Sequence, residues 1–299
     1  MEPSVHCEWM ETAGHWRGSF MCMASPCEIL IDSDDAALAQ TLSTLVYSEA
    51  SRIEHKYSRY REDSEISRIN RCAGQTLGVD DETARLLDYA DQCYRLSEGK
   101  FDVTSGILRK AWRFDGSDRI PSQAAVAALL EYIGWSKVTW RPPLLTLPQG
   151  MEVDLGGIGK EYAVDRCAQL CAQISPASIL ISFGGDMYIS GSRRNDGEWV
   201  IGINDPYGDG DQYAGILRLH RGGVATSGDA RRFLLKDGVR YSHILDPRSG
   251  WPVRDGPRAV TVASQTCIEA GMLATFAMLE GADAEKFLKE QHVLNRCIW

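Results

Sequence analysis

Ile179-Leu180-Ile181-Ser182-Phe183, closed by Gly184-Gly185-Asp186, is the stretch that decides the fold class. Its largely apolar run has strand length and ends on a glycine turn, so it reads as a buried strand. Outward from it, Trp199-Val200-Ile201-Gly202-Ile203, Ile216-Leu217-Arg218-Leu219, Arg232-Phe233-Leu234-Leu235 and Ala259-Val260-Thr261-Val262-Ala263 form a hairpin-like series. Upstream, Cys27-Glu28-Ile29-Leu30-Ile31 reads as a short strand, and Asp32-Ser33-Asp34 as capping residues before a helix. Leu38, Leu42, Leu45, Val46, Ile53 and Tyr57 then recur at helical spacing, and the polar segment 62–70 follows. Further helices are expected over 81–97, stopped by Gly99, and over 122–132, 162–174 and 268–279. Val138-Thr139-Trp140 before Pro142-Pro143 suggests a hairpin return. Helices and strands interleave irregularly, which favours an α+β fold over a doubly wound parallel one. No solenoid period and no low-complexity linker interrupts the chain, so it is expected to form one domain.

The chain has 299 residues, of which 44% are hydrophobic and 24% charged, and its charge is 32 − 41 = −9. That composition excludes disorder, collagen-like repeats and coiled coil. No run approaches the ~18 apolar residues of a membrane span. Met1-Glu2-Pro3-Ser4-Val5-His6-Cys7-Glu8-Trp9 is acidic and polar, unlike a secretory signal, so a cytoplasmic chain is expected. Nine cysteines, an odd and scattered set, argue against a disulfide framework. Cys167 and Cys171, spaced i,i+4, read as small buried residues, with a pair of metal ligands as the alternative. Without a basic stripe the chain is not expected to bind nucleic acid, although a small phosphate-bearing ligand remains open.

Val153-Asp154-Leu155-Gly156-Gly157-Ile158-Gly159-Lys160 joins a strand end, a glycine loop and a cation. It fits neither nucleotide-binding pattern: Asp154 stands where a P-loop has its first glycine, Glu161 follows the lysine, and the dinucleotide G-x-G-x-x-G spacing is absent. The loop reads as a tight turn as readily as an anion site. Arg240-Tyr241-Ser242-His243-Ile244-Leu245-Asp246-Pro247-Arg248 sets a histidine near a hydroxyl, a carboxylate and an arginine, either a general base or a loop histidine. Gly222-Gly223-Val224-Ala225-Thr226-Ser227-Gly228-Asp229 is rich in small residues and either lines a pocket or turns.

Taken in order, these motifs resemble the ApbE-type flavin transferases, the FAD:protein FMN transferase family. The resemblance is carried by Tyr57-Ser58-Arg59-Tyr60, Ser64-Glu65-Ile66-Ser67-Arg68-Ile69-Asn70, Phe101-Asp102-Val103-Thr104-Ser105-Gly106 and the 153–160 loop with Tyr162-Ala163-Val164-Asp165-Arg166. It continues through Gly184-Gly185-Asp186, residues 199–203, Val224-Ala225-Thr226-Ser227-Gly228-Asp229, Ser242-His243-Ile244-Leu245-Asp246-Pro247 and Ile268-Glu269-Ala270. It implies a single domain over 20–290 after an N-terminal extension, 1–19, with duplicated T-fold-like strand and helix units around a central flavin cleft.

The activity implied is transfer of FMN from FAD to a Thr or Ser of an acceptor flavoprotein with release of AMP, by a monomer or homodimer. On the family pattern Met23, Tyr60, Phe101, Asp102, Thr104, Asp154, Lys160, Ser242 and His243 surround the nucleotide, with Lys160 the cation for the pyrophosphate and His243 the base for the acceptor hydroxyl. Mg²⁺ is implied at the Gly157 carbonyl and Thr275. The family's metal-binding Asp falls at Gly271, which has no anionic oxygen, and Glu269 lies about 200° around the helix from it. Glu161, where the family has Gly after the Lys, and Met23-Ala24-Ser25 are the other departures. Because of Gly271, a non-catalytic FAD carrier and an FAD pyrophosphate hydrolase stand as alternatives. Gly271→Asp is expected on this reading to raise Mg²⁺ affinity.

Overall fold

One seven-stranded sheet, whose central strands are buried at consecutive positions and so on both faces, is built from β1 (Trp16–Cys22), β2 (Ser25–Asp32), β3 (Ser178–Phe183), β4 (Asp186–Ile189), β5 (Gly222–Gly228), β6 (Ala259–Ser264) and β7 (Leu294–Ile298). The strands lie side by side in this order and every pairing is antiparallel. The computed structural model describes residues 15–208, 212–229 and 232–299, so the acidic stretch Met1–Trp9 with Cys7 lies outside the described residues. The sheet runs past the expected 20–290 span at both ends, to Trp16 and Ile298.

Ile29, Ile31, Ile179, Ile181 and Phe183 face a helical layer of α1 (Ala36–Tyr57), α5 (Gly159–Ile174) and α6 (Cys267–Glu280). Between α1 and α5 the chain forms α2 (Glu65–Asn70), α3 (Asp81–Leu96) and α4 (Gln123–Leu130), and α7 (Ala284–Glu290) follows α6. The alternate residues Leu180, Ile189 and Val224 pack on the other face against Trp199 and Ile201 of a hairpin, Trp199–Asn204 with Tyr213–Leu219. The mixed, antiparallel architecture is the expected α+β class.

Several local readings change. Asp35, rather than 32–34, caps α1, accepting from the amides of Ala37 and Leu38. The polar 62–70 segment contains α2, capped by Ser64, because Ile66 and Ile69 share a buried face. Residues 153–155 belong to no strand; Asp154 N–H instead donates to the Val103 carbonyl at 2.8 Å. The small-residue run is neither turn nor loop but central strand β5. Its glycines admit α6 directly onto the sheet, since a Cβ on Gly223 would run into the Thr266 backbone. Cys167 and Cys171 are buried core thiols pushed up by desolvation, as the apolar reading expected.

Two long excursions, 101–153 and 229–258, meet in a small core of their own. Ile107, Leu108, Trp112, Val126, Ile133 and Leu234 pack together there, and Trp112 Nε1 donates to the Gly250 carbonyl at 2.8 Å. The second excursion leaves the end of β5 and returns to β6, and antiparallel pairing puts that edge level with the β1–β2 and β3–β4 turns. The functional candidates therefore gather at one end of the sheet.

Candidate active site

The rim of this end begins at Met23 and Ala24, a two-residue turn with φ of 52° and 53°, as the right-handed twist of a hairpin favours. Glu54 of α1 holds it, accepting from Met23 N–H at 2.8 Å. Beside it the Gly184-Gly185 turn has positive φ at both residues and approaches so closely that a Cβ on Gly184 would stand 2.9 Å from Ser25 Oγ and 3.8 Å from Lys160 Nζ.

Lys160 enters from the first turn of α5 and pairs with Asp186, which is only 3% exposed. Burial alone would lower the lysine, but the Asp186 and Glu161 carboxylates outweigh it and raise it, so the ammonium stays charged. Asp186 Oδ1 also accepts from Thr226 N–H of β5 at 3.2 Å. One donor of the ammonium is thus committed and two remain for a ligand. Next to it, Glu161 is half-buried, and its Oε2 atom is buried without a hydrogen-bond partner. Desolvation, reinforced by Asp186, lifts its carboxyl well above the usual carboxylate range.

Asp154 pairs with Arg59, whose Nη2 donates to Tyr60 Oη at 2.7 Å and whose guanidinium lies 4.9 Å from the Tyr60 ring centre. Tyr60 itself is 80% exposed, an open aromatic face at the mouth of the site. Asp154 Oδ1 accepts from Gly156 N–H at 2.9 Å, and Gly106 packs so tightly behind that a Cβ there would meet Asp154.

Asp102 and Thr104 do internal work. Asp102 accepts from the amide and hydroxyl of Thr104 at 2.7 and 2.6 Å and from Trp135 N–H at 2.9 Å, while Thr104 Oγ1 accepts from Gly134 N–H at 2.8 Å. Both are buried, and desolvation raises Asp102 despite these bonds. They therefore fix the loop that carries Phe101, whose ring stands 3.1 Å from where a Gly157 Cβ would be and 6.2 Å from Phe276 of α6.

His243 and Ser242 hang from the second excursion. His243 Nδ1 faces the Arg232 carbonyl at 3.1 Å, and because a carbonyl only accepts, Nδ1 carries the proton and Nε2 is the free base. Burial, aided by the Arg232 guanidinium, holds the imidazole below the ordinary 6.5, so it is neutral at pH 7. Asp246, the carboxylate near the histidine in this motif, pairs with Arg248 instead. Ser242 Oγ accepts from Ile244 N–H at 3.1 Å and shapes the turn.

The sequence reading assigned no role to Arg59, Asp186 or the Arg232 carbonyl, although Arg59 and Asp186 stand inside its motifs. Helices α5 and α6 pack antiparallel: Asp165 accepts from the amides of Cys267 and Ile268 at 2.8 and 2.9 Å, and Glu161 lies against Gly271. Phe101 lies against both Gly157 and Phe276, which brings the glycine loop close to the part of α6 that carries Thr275. Among the described residues no three His, Cys, Asp or Glu side chains form a metal cluster by themselves. Nor is any helix among them long and apolar enough to cross a membrane.

The sequence model of the ApbE family matches residues 23–298. The FAD:protein FMN transferase of Vibrio cholerae serotype O1 is 31% identical over 259 residues, 85% of this chain and 77% of the relative. The FAD:protein FMN transferase of Klebsiella pneumoniae strain 342 is 32% identical over 275 residues, 90% of this chain and 83% of the relative. Among solved structures, the ApbE protein of Thermotoga maritima matches with a TM-score of 0.86 at 30% identity, covering 95% of this chain and 94% of that one.

Proposed function

The chain belongs to the ApbE family, and from that premise we propose that it is an FAD:protein FMN transferase worked by His243 and Lys160. The observation that carries the mechanism is the neutral His243, its Nδ1 proton committed to a carbonyl and its Nε2 free, on the excursion beside the sheet end that holds Lys160. The acceptor Thr or Ser oxygen attacks the FMN phosphorus, the bond from that phosphorus to the bridging oxygen breaks, and AMP leaves with that oxygen. The hydroxyl proton passes to His243 Nε2. Lys160, held by Asp186, offers its remaining donors to the pyrophosphate, where its charge counts most in a partly buried site. Asp154, fixed by Arg59, turns its acceptor capacity towards a hydroxyl or ring nitrogen of the nucleotide, and Met23 and Phe101 border the cleft.

A bound Mg²⁺ supplies charge neutralisation at phosphate oxygens, and the Gly157 carbonyl and Thr275 hydroxyl would hold it. The unpartnered Glu161 Oε2, an oxygen acceptor next to Lys160 in the chain, supports a fit to that group. A reducing, cytoplasmic compartment belongs to the same reading, supported by unpaired cysteines throughout the described residues. A monomer or homodimer acting on a separate acceptor chain completes it.

Tyr60 is assigned to stacking on the bound nucleotide. Tyr60→Ala should weaken FAD binding by about 10-fold, within the ~1–3 kcal/mol of a stacked base, without shifting the melting temperature, because the ring is 80% exposed. Flavin fluorescence quenching reads the first and thermal denaturation the second; unaltered affinity would remove Tyr60 from the site. The function itself is tested by incubating the protein with FAD, Mg²⁺ and an acceptor domain. Flavin fluorescence that stays on the acceptor after denaturation supports transfer, and its absence counts against it.

A further inference from the structure

Two charged pairs and one unpaired carboxylate meet at the start of α5. Arg59 is matched by Asp154 and Lys160 by Asp186, which leaves Glu161 as the carboxyl of the group without an ion pair and with Oε2 unbonded. Its Oε2 is buried and accepts no hydrogen bond, a costly state for a carboxylate unless something positive completes it. A pyrophosphate ligand would add further negative charge to the same place. A cation beside Glu161 would favour its ionised form and offset the charge of an anionic ligand.

The carboxylate also has a defined seat. Glu161 fills the hollow that Gly271 leaves on α6: a Cβ at 271 would fall 2.7 Å from Glu161 Cγ and 3.0 Å from its Oε1. Gly271 is wholly buried beneath this side chain, so any larger residue there would evict it. One turn further along α6, on the same side of the helix as Gly271, stands Thr275.

We propose that Glu161, reaching from α5 into the Gly271 hollow, is the anionic ligand of a divalent cation held with the Thr275 hydroxyl and the Gly157 carbonyl. The proposal rests on the transferase reading and deepens it: the departures at 161 and 271 are one compensated exchange, in which the carboxylate has moved from α6 to α5. A hard cation is the fitting occupant, since the donors are all oxygen and few enough to leave room for water and phosphate. Gly271→Asp alone should then fail to raise metal affinity, contrary to the expectation from the sequence, because the new side chain collides with Glu161.

Mn²⁺ titrated into the full chain, with the free-ion electron paramagnetic resonance signal as the readout, tests this without recourse to turnover. Glu161→Gln, which keeps the hollow filled, should weaken Mn²⁺ binding at least ~10-fold, while metal-free FAD affinity, read by fluorescence quenching, stays within about twofold or rises modestly. The double variant Glu161→Gly with Gly271→Asp, checked for an unchanged melting transition, should recover most of the lost Mn²⁺ affinity. Wild-type Mn²⁺ binding in Glu161→Gln overturns the proposal, and so does a folded double variant that stays as weak as Glu161→Gln. A wild-type protein that binds Mn²⁺ but never FAD would instead overturn the transferase reading beneath it.

Discussion

His243→Asn should cut FMN transfer by about 10²–10⁴-fold, the usual contribution of a positioned general base, while FAD affinity stays within a few-fold. Asparagine can still donate to the Arg232 carbonyl, so the turn keeps its shape and only the free base is lost. The pH dependence follows with a definite sign. Burial and Arg232 hold the imidazole below 6.5, so Nε2 stays unprotonated to lower pH than in a free histidine. The acid limb of kcat/KM in the wild type should therefore lie below pH 6.5, and it should vanish in the residual activity of His243→Asn. An unaltered rate in the variant, or an acid limb well above 6.5, would contradict this role.

Lys160→Met is expected to act on both binding and folding. Asp186 is 3% exposed and would keep only the 3.2 Å bond from Thr226 N–H, an uncompensated buried carboxylate. Breaking a buried pair costs ~3–5 kcal/mol, and the 28% exposure of the lysine side chain puts this one at or below the lower end. FAD affinity should fall by about 100-fold, as expected when a charged donor to a pyrophosphate is removed. Adding Asp186→Asn should restore the melting temperature, since the orphaned charge is gone, but not the FAD affinity. If the double variant regained FAD binding as well, Lys160 would be a structural cation and not the pyrophosphate ligand.

The parts of the fold legible in the sequence were those whose signal is local. Helix α1 was visible because Leu42, Val46 and Ile53 repeat on one buried face, and β3 because its run of Ile and Leu has strand length. Strand β5 was not, because its Gly, Ala, Thr and Ser residues answer to the helix backbone lying against them. Helix α2 was hidden for a related reason: only Ile66 and Ile69 reach the core, too few to mark a period. At the site, motif order brought out Lys160, Asp154 and His243, each of which the fold sets near one end of the sheet. Their partners, Asp186, Arg59 and the Arg232 carbonyl, are chosen by packing between distant segments, which no spacing in the chain encodes. The contact of Glu161 with Gly271 is the sharpest case, since each looked like an isolated departure until α5 and α6 were laid side by side.

The most direct measurement is the ratio of AMP released to FMN bound covalently on an acceptor domain, with FAD and Mg²⁺ present, followed with the acceptor supplied and then withheld. A transferase gives equal amounts of both products with the acceptor and almost no AMP without it. AMP appearing at the same rate whether or not the acceptor is present, with FMN free in solution, would show a hydrolase, and tight FAD binding with no AMP at all would show a carrier. Either of these results would contradict the account.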